Sequence, residues 1–375
     1  MDTERLALGF VSESPAWHLV SPLYPDKIGG RPAWLALRHL PSPKQLSCPR
    51  CSLPMVFVLQ VYSTIDNRED CFHRVLFLFM CRNGTCYNLN TDHNLVPFAV
   101  FRSQLARQNP YFSFEPPETE CPSLDMVKSW IQNNQLPCAE LYTSVCPVCG
   151  CQADKSCSKC KRVKYCSKSH QVLHWKDDHR SICGSQVDVP VGPSFTPNRF
   201  LLPEYKLCSE PAVPSADYSE IDTDESEPED VDESFRLLEG SEESDQLESL
   251  AKRETKDEAR FRRFKQVLST EPDQVVRLER GGKPLWLSET PPVVADCEAC
   301  GAKRVFEFQV TPQLLIYLKL DQLGKTSPDF GSLYIFTCSA SCPLPRVIKS
   351  DGNEGATTSE IVEYQPEVVI CQMVP

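Results

Sequence analysis

Between Cys146 and Cys183, eight side chains that bind metals fall into four pairs: Cys146-x2-Cys149, Cys157-x2-Cys160, Cys166-x3-His170 and His179-x3-Cys183. Thiolate and imidazole hold zinc tetrahedrally. A two-residue gap lets both thiolates of a turn face one ion, and a three-residue gap puts two donors on one side of a helical turn. Eight donors fill two four-coordinate sites and leave no position for an activated water, so the chemistry is structural. A redox reading of the Cys-x-x-Cys pairs fits less well, because dithiol exchange uses one isolated pair beside a βαβ unit. Cys151 and His174 lie among the pairs and read as bystanders, with Cys151 able to stand in for Cys149.

Two further groups flank this cluster. Cys48, Cys51, Cys81 and Cys86 follow the order of a knuckle and then a second pair beyond a hairpin, and so do Cys297, Cys300, Cys338 and Cys342. Zinc at each is favoured over the competing reading, free thiols packed as small hydrophobes. The expected total is two ions in the central cluster and up to two more. Cys71, Cys121, Cys138, Cys151, Cys208 and Cys371 are left as packing or surface residues. The first residues lack the apolar core of a signal peptide, and no apolar run approaches the roughly 20 residues of a membrane helix. An intracellular protein, cytoplasmic and nuclear, is expected, where paired cysteines bind metal rather than form disulfides.

The elements that must hold these donors recur. Gly29-Gly30-Arg31-Pro32-Ala33-Trp34-Leu35 matches Gly281-Gly282-Lys283-Pro284-Leu285-Trp286-Leu287 at five positions and conservatively at a sixth. Each motif is followed by a Cys-x-x-Cys pair and then by a strand-like stretch, Val56-Phe57-Val58-Leu59-Gln60-Val61 or Val305-Phe306-Glu307-Phe308-Gln309-Val310. A second apolar run, Val75 to Phe79 or Leu333 to Phe336, leads each copy to its last two cysteines. Shared order over two windows reads as a diverged duplication of a small β-rich module, the two copies packing together because neither holds an ample core alone. Trp34 and Trp286 read as core residues in preference to contact residues.

The fold class expected is α+β, mainly β: a duplicated zinc-stapled module with an inserted finger and an acidic linker. Residues 1–115 form the first copy; 116–140 hold a connecting helix over Leu124 to Ile131; 141–186 are the finger; 187–248 are a proline-rich and acidic linker. Residues 249–375 carry the second copy behind a leading helix, whose apolar spacing runs from Leu247 to Leu268. Asp188 to Pro214 has a composition that reads as unable to order itself. The whole chain has 51 acidic and 39 basic side chains, but fifteen of the acids and a single Arg lie between Asp217 and Glu248, leaving 36 against 38 elsewhere. The net charge of −12 therefore belongs to one segment.

No enzyme constellation is present: neither Gly-x4-Gly-Lys-Ser/Thr, nor Gly-x-Gly-x-x-Gly, Gly-x-Ser-x-Gly or His-Glu-x-x-His. Asp329-Phe330-Gly331 stands without the loops that accompany this triplet in kinases. The finger carries eight basic residues (Lys155, Lys159, Lys161, Arg162, Lys164, Lys168, Lys176, Arg180) against three acidic ones. Such an excess suits phosphate. A solvated or peptide-docking face is nevertheless favoured over nucleic acid, since no recognition helix accompanies it and the acidic run competes for the same charge.

With Tyr165-Cys166-Ser167, Gln171 and Trp175 added, Cys146 to Cys183 resembles the MYND zinc finger. The resemblance implies interleaved sites, Cys146, Cys149, Cys166 and His170 on one zinc and Cys157, Cys160, His179 and Cys183 on the other. Most members have Cys where His170 stands. Leu8-Gly9-Phe10, Pro15-Ala16-Trp17, Gly29 to Leu35, Leu59-Gln60-Val61-Tyr62, Phe72-His73-Arg74, Cys300-Gly301-Ala302-Lys303-Arg304 and Phe308-Gln309-Val310 extend the likeness to the programmed cell death protein 2 (zinc finger protein Rp-8) family. One departure is Cys297-x2-Cys300, where the family also uses Cys-x-Cys. The resemblance implies a non-enzymatic chaperone that escorts a newly made, basic small-subunit ribosomal protein, the one lining the mRNA channel, into 40S assembly. The alternative is an adaptor whose finger binds proline-containing peptides of nuclear regulators, or a nuclear transcription regulator that itself contacts DNA.

Overall fold

Runs such as Val56–Tyr62 and His73–Met80 are apolar at most positions, rich in Val, Leu and Phe, the pattern of strands covered on both faces. In the computed structural model, which describes residues 6–87, 95–185, 191–212, 256–288, 293–321, 327–343, 346–350 and 357–374, these strands are buried along almost their whole length. The strands are β1 (Ala7–Ser12), β2 (Lys27–Ile28), β3 (Val56–Tyr62), β4 (His73–Met80), β5 (Phe98–Leu105), β6 (Lys155–Ser156), β7 (Lys164–Tyr165) and β8 (Tyr205–Pro211). They continue with β9 (Val276–Leu278), β10 (Arg304–Val310), β11 (Ser332–Cys338), β12 (Arg346–Ser350), β13 (Thr357–Ile361) and β14 (Gln365–Gln372). Ten of them close a barrel in the order β1-β8-β2-β3-β4-β5-β14-β11-β10-β9, with β9 returning to β1. Closure leaves no edge for another chain to extend. β6–β7 belong to the finger, and β12–β13 form a separate hairpin.

The first half contributes β2-β3-β4-β5 and the second β9-β10-β11-β14, so the two runs meet at β5 and β14. Both carry a register shift at the same place, between Phe57 and Leu59 against β4 and between Phe306 and Phe308 against β11. Gln60 bonds both the backbone N–H and the carbonyl of Ala33, and Gln309 does the same to Leu285. Trp34 packs on Phe77 and Phe79, and Trp286 on Tyr334 and Phe336. Phe308, Val310, Leu333 and Ile335 join the large core shared with the first half, whereas Phe306, Tyr334 and Phe336 form a separate cluster on the opposite face of the second half.

The same wall buries charge. Arg74 on β4 forms a two-pronged pair with Glu307 on β10 at 2.6 and 3.0 Å, both side chains essentially inaccessible. Arg280 and the Thr337 hydroxyl bond the same carboxylate. Arg102 on β5 meets Glu367 on β14 at 2.8 Å, with Arg304 at 3.2 Å. Each carboxylate thus joins the two halves. Taking such ions from water is costly, and the arrangement is tolerated because nearly every oxygen and guanidinium nitrogen has a partner. Burial alone would raise the Glu307 carboxyl, but Arg74 and Arg280 outweigh it and hold it down at about 2.

Between the halves, helix α1 (Leu124–Gln132) starts at Ser123, whose side chain accepts from the Met126 N–H at 3.2 Å, and it buries Val127 against Val20 and Leu136. A second helix, Lys256–Ser269, covers the described part of the 247–268 periodicity and buries Phe264 and Val267. Residues 247–255 lie outside the described residues, as does the acidic run from Asp217 to Glu248. The proline-rich stretch corrects its sequence reading. Tyr205–Pro211 is a barrel strand that fills the gap between β1 and β2, and Leu202 and Leu207 are buried. Its order comes from two neighbours that supply backbone partners and apolar cover, which composition does not reveal.

Glu307→Gln leaves Arg74 buried without its counter-charge and lowers the unfolding free energy by about 3–5 kcal/mol, read from urea denaturation. The native carboxylate titrates below its unfolded value of about 4.3. Its contribution is therefore complete above that value and is lost as pH falls toward about 2. The denaturation midpoint should fall with acid through this window, and less steeply in the variant.

Candidate metal centres

Four Cys-x-x-Cys turns share one backbone geometry. The N–H four residues after the first cysteine returns to that cysteine's carbonyl: Ser52 to Cys48 at 2.8 Å, Gly150 to Cys146 at 2.9 Å, Lys161 to Cys157 at 3.0 Å and Gly301 to Cys297 at 2.7 Å. All four returning residues have positive φ, between 57° and 74°. Glycine adopts this conformation freely, whereas Ser52 and Lys161 adopt it under strain. The cysteine N–H closes each turn on a carbonyl beyond it, at Leu53, Cys151, Val163 or Ala302. The donor spacing was readable in the sequence, but this fourth turn position was not, since two of the four residues are not glycine.

The second pair of each site comes from a neighbouring element. Cys81 follows the end of β4 and Cys86 sits in the turn Gly84–Tyr87; Cys338 ends β11, with Cys342 just beyond. In the finger, Ser167 caps helix α2 (Lys168–His174) by accepting from the His170 N–H at 3.1 Å, which places Cys166 and His170 on one side. A π-helical turn, Trp175–His179, then swings His179 toward Cys160, and Arg180–Ile182 carries the chain to Cys183.

The structure brings together Cys48, Cys51, Cys81 and Cys86; Cys146, Cys149, Cys166 and His170; Cys157, Cys160, His179 and Cys183; and Cys297, Cys300, Cys338 and Cys342. Within each set the donor atoms all lie within 4.8 Å of one another. Sulfurs ~2.3 Å from a common zinc stand roughly 3.8 Å apart at the corners of a tetrahedron. The observed separations are 3.5 Å for Cys51 and Cys81, 3.7 Å for Cys149 and Cys166, 3.8 Å for Cys297 and Cys342 and 3.5 Å for Cys300 and Cys338. His170 presents Nδ1 3.1 Å from Cys166 Sγ, and His179 presents Nε2 3.5 Å from Cys160 Sγ. Their other ring nitrogens are buried without a hydrogen-bond partner among the described residues. His170 is instead met by the Phe200 ring at 4.1 Å, and His179 stacks on His174. Hydrogen bonds from Cys149 and Cys166 pull the Cys146 thiol far down, while bonds to Cys146 and Cys149 push Cys166 far up. So crowded a set of thiols fits a bound cation, which replaces their protons.

Cys151 belongs to none of the four sets and donates to the Cys149 carbonyl, and His174 bonds the Tyr165 hydroxyl at 3.0 Å. All eight basic residues of the finger are exposed.

The finger is locked to the first half by the Gly-Gly-basic-Pro-x-Trp motif. Trp34 is 2% exposed and donates its indole N–H to the Gly150 carbonyl at 2.7 Å. Arg31 donates to the carbonyls of Pro147, Ser194 and Thr196, and Asn198 to that of Val148. A Cβ on Gly150 would stand 2.9 Å from that of Arg31, so close approach requires glycine here as well as positive φ. Among the described residues no helix is long and apolar enough to cross a membrane.

A ten-stranded barrel with paired-cysteine sites and an interleaved eight-donor finger defines a MYND-finger zinc protein. The MYND finger model matches residues 146–183. Models of the N-terminal and C-terminal domains of programmed cell death protein 2 match residues 5–119 and 258–371. The chain belongs to the programmed cell death protein 2 family. It is 43% identical to programmed cell death protein 2 of Rattus norvegicus and 42% identical to that of Bos taurus, each alignment covering 90% of this chain and 92% of the relative. It is 29% identical to programmed cell death protein 2-like of Mus musculus, over 85% of this chain and 86% of that protein. No solved structure matches it.

Native mass measurement should find four zinc ions per chain. Cys297→Ser should remove one and leave three, whereas a native count of two would confine metal to the finger.

Proposed function

We propose that the protein is a non-enzymatic, zinc-stapled escort of a newly made, basic small-subunit ribosomal protein, acting in the cytoplasm and nucleus during 40S assembly. In this reading the body is a duplicated β module, the sixteen Cys and His residues of the four sets are structural zinc ligands, and residues 217–248 capture the client. The carrying observation is the segregation of charge: fifteen acidic residues against one Arg in a single segment of a chain that is otherwise near neutral. Such a segment attracts a basic chain over long range, speeds encounter and loses strength as salt rises. It also shields a ribosomal protein from premature contact with RNA by occupying the same positive surface. Closed four-donor sites suit this role, since they stiffen a scaffold and offer no open metal position.

One observation favours the adaptor as a second reading. Val172 and Ile182 on the finger are 44% and 46% exposed beside its basic residues, a surface suited to a peptide.

The two readings separate when newly made chains are pulse-labelled and the full protein is captured. Replacing the fifteen carboxylates of 217–248 by their amides should reduce recovery of one stoichiometric small-subunit ribosomal protein at least tenfold, while Val172→Asp with Ile182→Asp should leave it unchanged. Recovery that survives neutralisation and is lost with the two finger substitutions would establish the adaptor.

A further inference from the structure

The outer face of each half carries the same stack of side chains, and among the described residues the finger closes only the first, while the second is met by Trp286 and Val294. On the first half, Phe77 lies opposite Phe101 and Phe79 opposite Ala99, with Trp34 laid over Phe77 and Phe79. The finger closes this stack through Gly150, and Tyr364 adds its ring to Trp34 at 5.2 Å while its hydroxyl bonds the Ala36 carbonyl. Phe101 is consequently 3% exposed. On the second half, Tyr334 lies opposite Ile370 and Phe336 opposite Val368, with Trp286 laid over Tyr334 and Phe336. Here Trp286, Val368 and Ile370 are all partly exposed.

The polar groups repeat as well. The finger is received by two donors, the Trp34 indole and the Arg31 guanidinium, both directed at backbone carbonyls. Their counterparts are Trp286 and Lys283. Neither side chain donates a hydrogen bond among the described residues, and Lys283 is exposed. The second half therefore presents the apolar seat and the two donors that bind the finger on the first, without an equivalent occupant among those residues.

We propose that the Trp286 face docks a partner protein through a tight turn containing proline and glycine. Its backbone carbonyls take the Trp286 indole N–H and the Lys283 ammonium, as the Pro147–Gly150 turn takes those of Trp34 and Arg31. The chemistry of the occupant follows from that of the finger. A proline shapes the turn and offers its carbonyl, as Pro147 does to Arg31, and a glycine lets the backbone approach closely, the role Gly150 has beside Arg31. Exchange of Arg for Lys changes the strength. The guanidinium fork of Arg31 engages three carbonyls from two segments, whereas an ammonium is a single, strongly hydrated point charge. The first face accordingly holds a permanent tenant and the second an exchangeable one. This docking site is independent of whether the partner is ribosomal.

The test places the photoreactive residue p-benzoylphenylalanine at position 286 of the full chain in cells, maps the adduct by mass spectrometry, and titrates a synthetic peptide of the mapped segment against the purified native chain. The expected adduct lies on a different protein, within a turn that contains proline and glycine. Trp286→Phe keeps the ring stack and removes the donor, so it should weaken the peptide about three- to tenfold. Lys283→Glu should weaken it further, with zinc content and melting temperature unchanged in both. An adduct on this chain itself or on a second copy, scattered or absent adducts, or a peptide insensitive to both substitutions would overturn the proposal. A mapped turn on a non-ribosomal protein would support this docking site while counting against the ribosomal client.

Discussion

The Glu307 carboxylate is the point through which the two halves become one object. It sits in the barrel wall of the second half, out of water, and is neutralised by Arg74 from the first half and Arg280 from its own. Glu367 has the same position with respect to Arg102 and Arg304. An unpaired ion at either place would cost about 3–5 kcal/mol, a large share of the stability of a typical domain. The halves are thus bound to one register: slipping β5 against β14 by one residue would put charge on apolar neighbours and apolar side chains on charge. Zinc acts at a shorter range, fixing each Cys-x-x-Cys turn to the strand end beside it.

Once the barrel is closed, its two outer faces become alternatives. Each presents an indole lying on two aromatic rings, with a glutamine holding the motif's backbone in place. The finger occupies one of them, and its position depends on a glycine carbonyl and a proline carbonyl rather than on its metal donors. Its eight basic side chains and the apolar pair Val172 and Ile182 remain exposed. A finger held in this way is a fixed part of the body, and the acidic segment is the part of the chain that carries the charge balance.

Legibility followed the distance over which each feature is determined. The donor pairs were readable because a zinc turn is built within five residues, and α1 because Ser123 and the apolar spacing after it are local. The likeness of the halves was readable from Gly-Gly-basic-Pro-x-Trp-Leu, because glycine, proline and tryptophan mark a turn and a stack that tolerate few substitutes. The Arg74–Glu307 pair was not, since the two residues stand 233 positions apart and a charged residue in a strand ordinarily reads as facing water. β8 was misread for a related reason: its neighbours confer its order. Spacing left Cys151 able to stand in for Cys149 and the flanking sets open to a reading as packed thiols, which only the grouping of the donor atoms resolves, and the strain at Ser52 and Lys161 was visible only in the backbone.

The central claim is that residues from both sides of the acidic segment build one barrel, with β8 between β1 and β2, β9 against β1, and β5 against β14. It is tested most directly by cutting the native chain within residues 213–255 with a protease and passing the product over a sizing column without denaturant. A shared barrel predicts that the two fragments elute together at the size of the uncut chain and part only in urea. Fragments that separate in native buffer, each still folded, would contradict it.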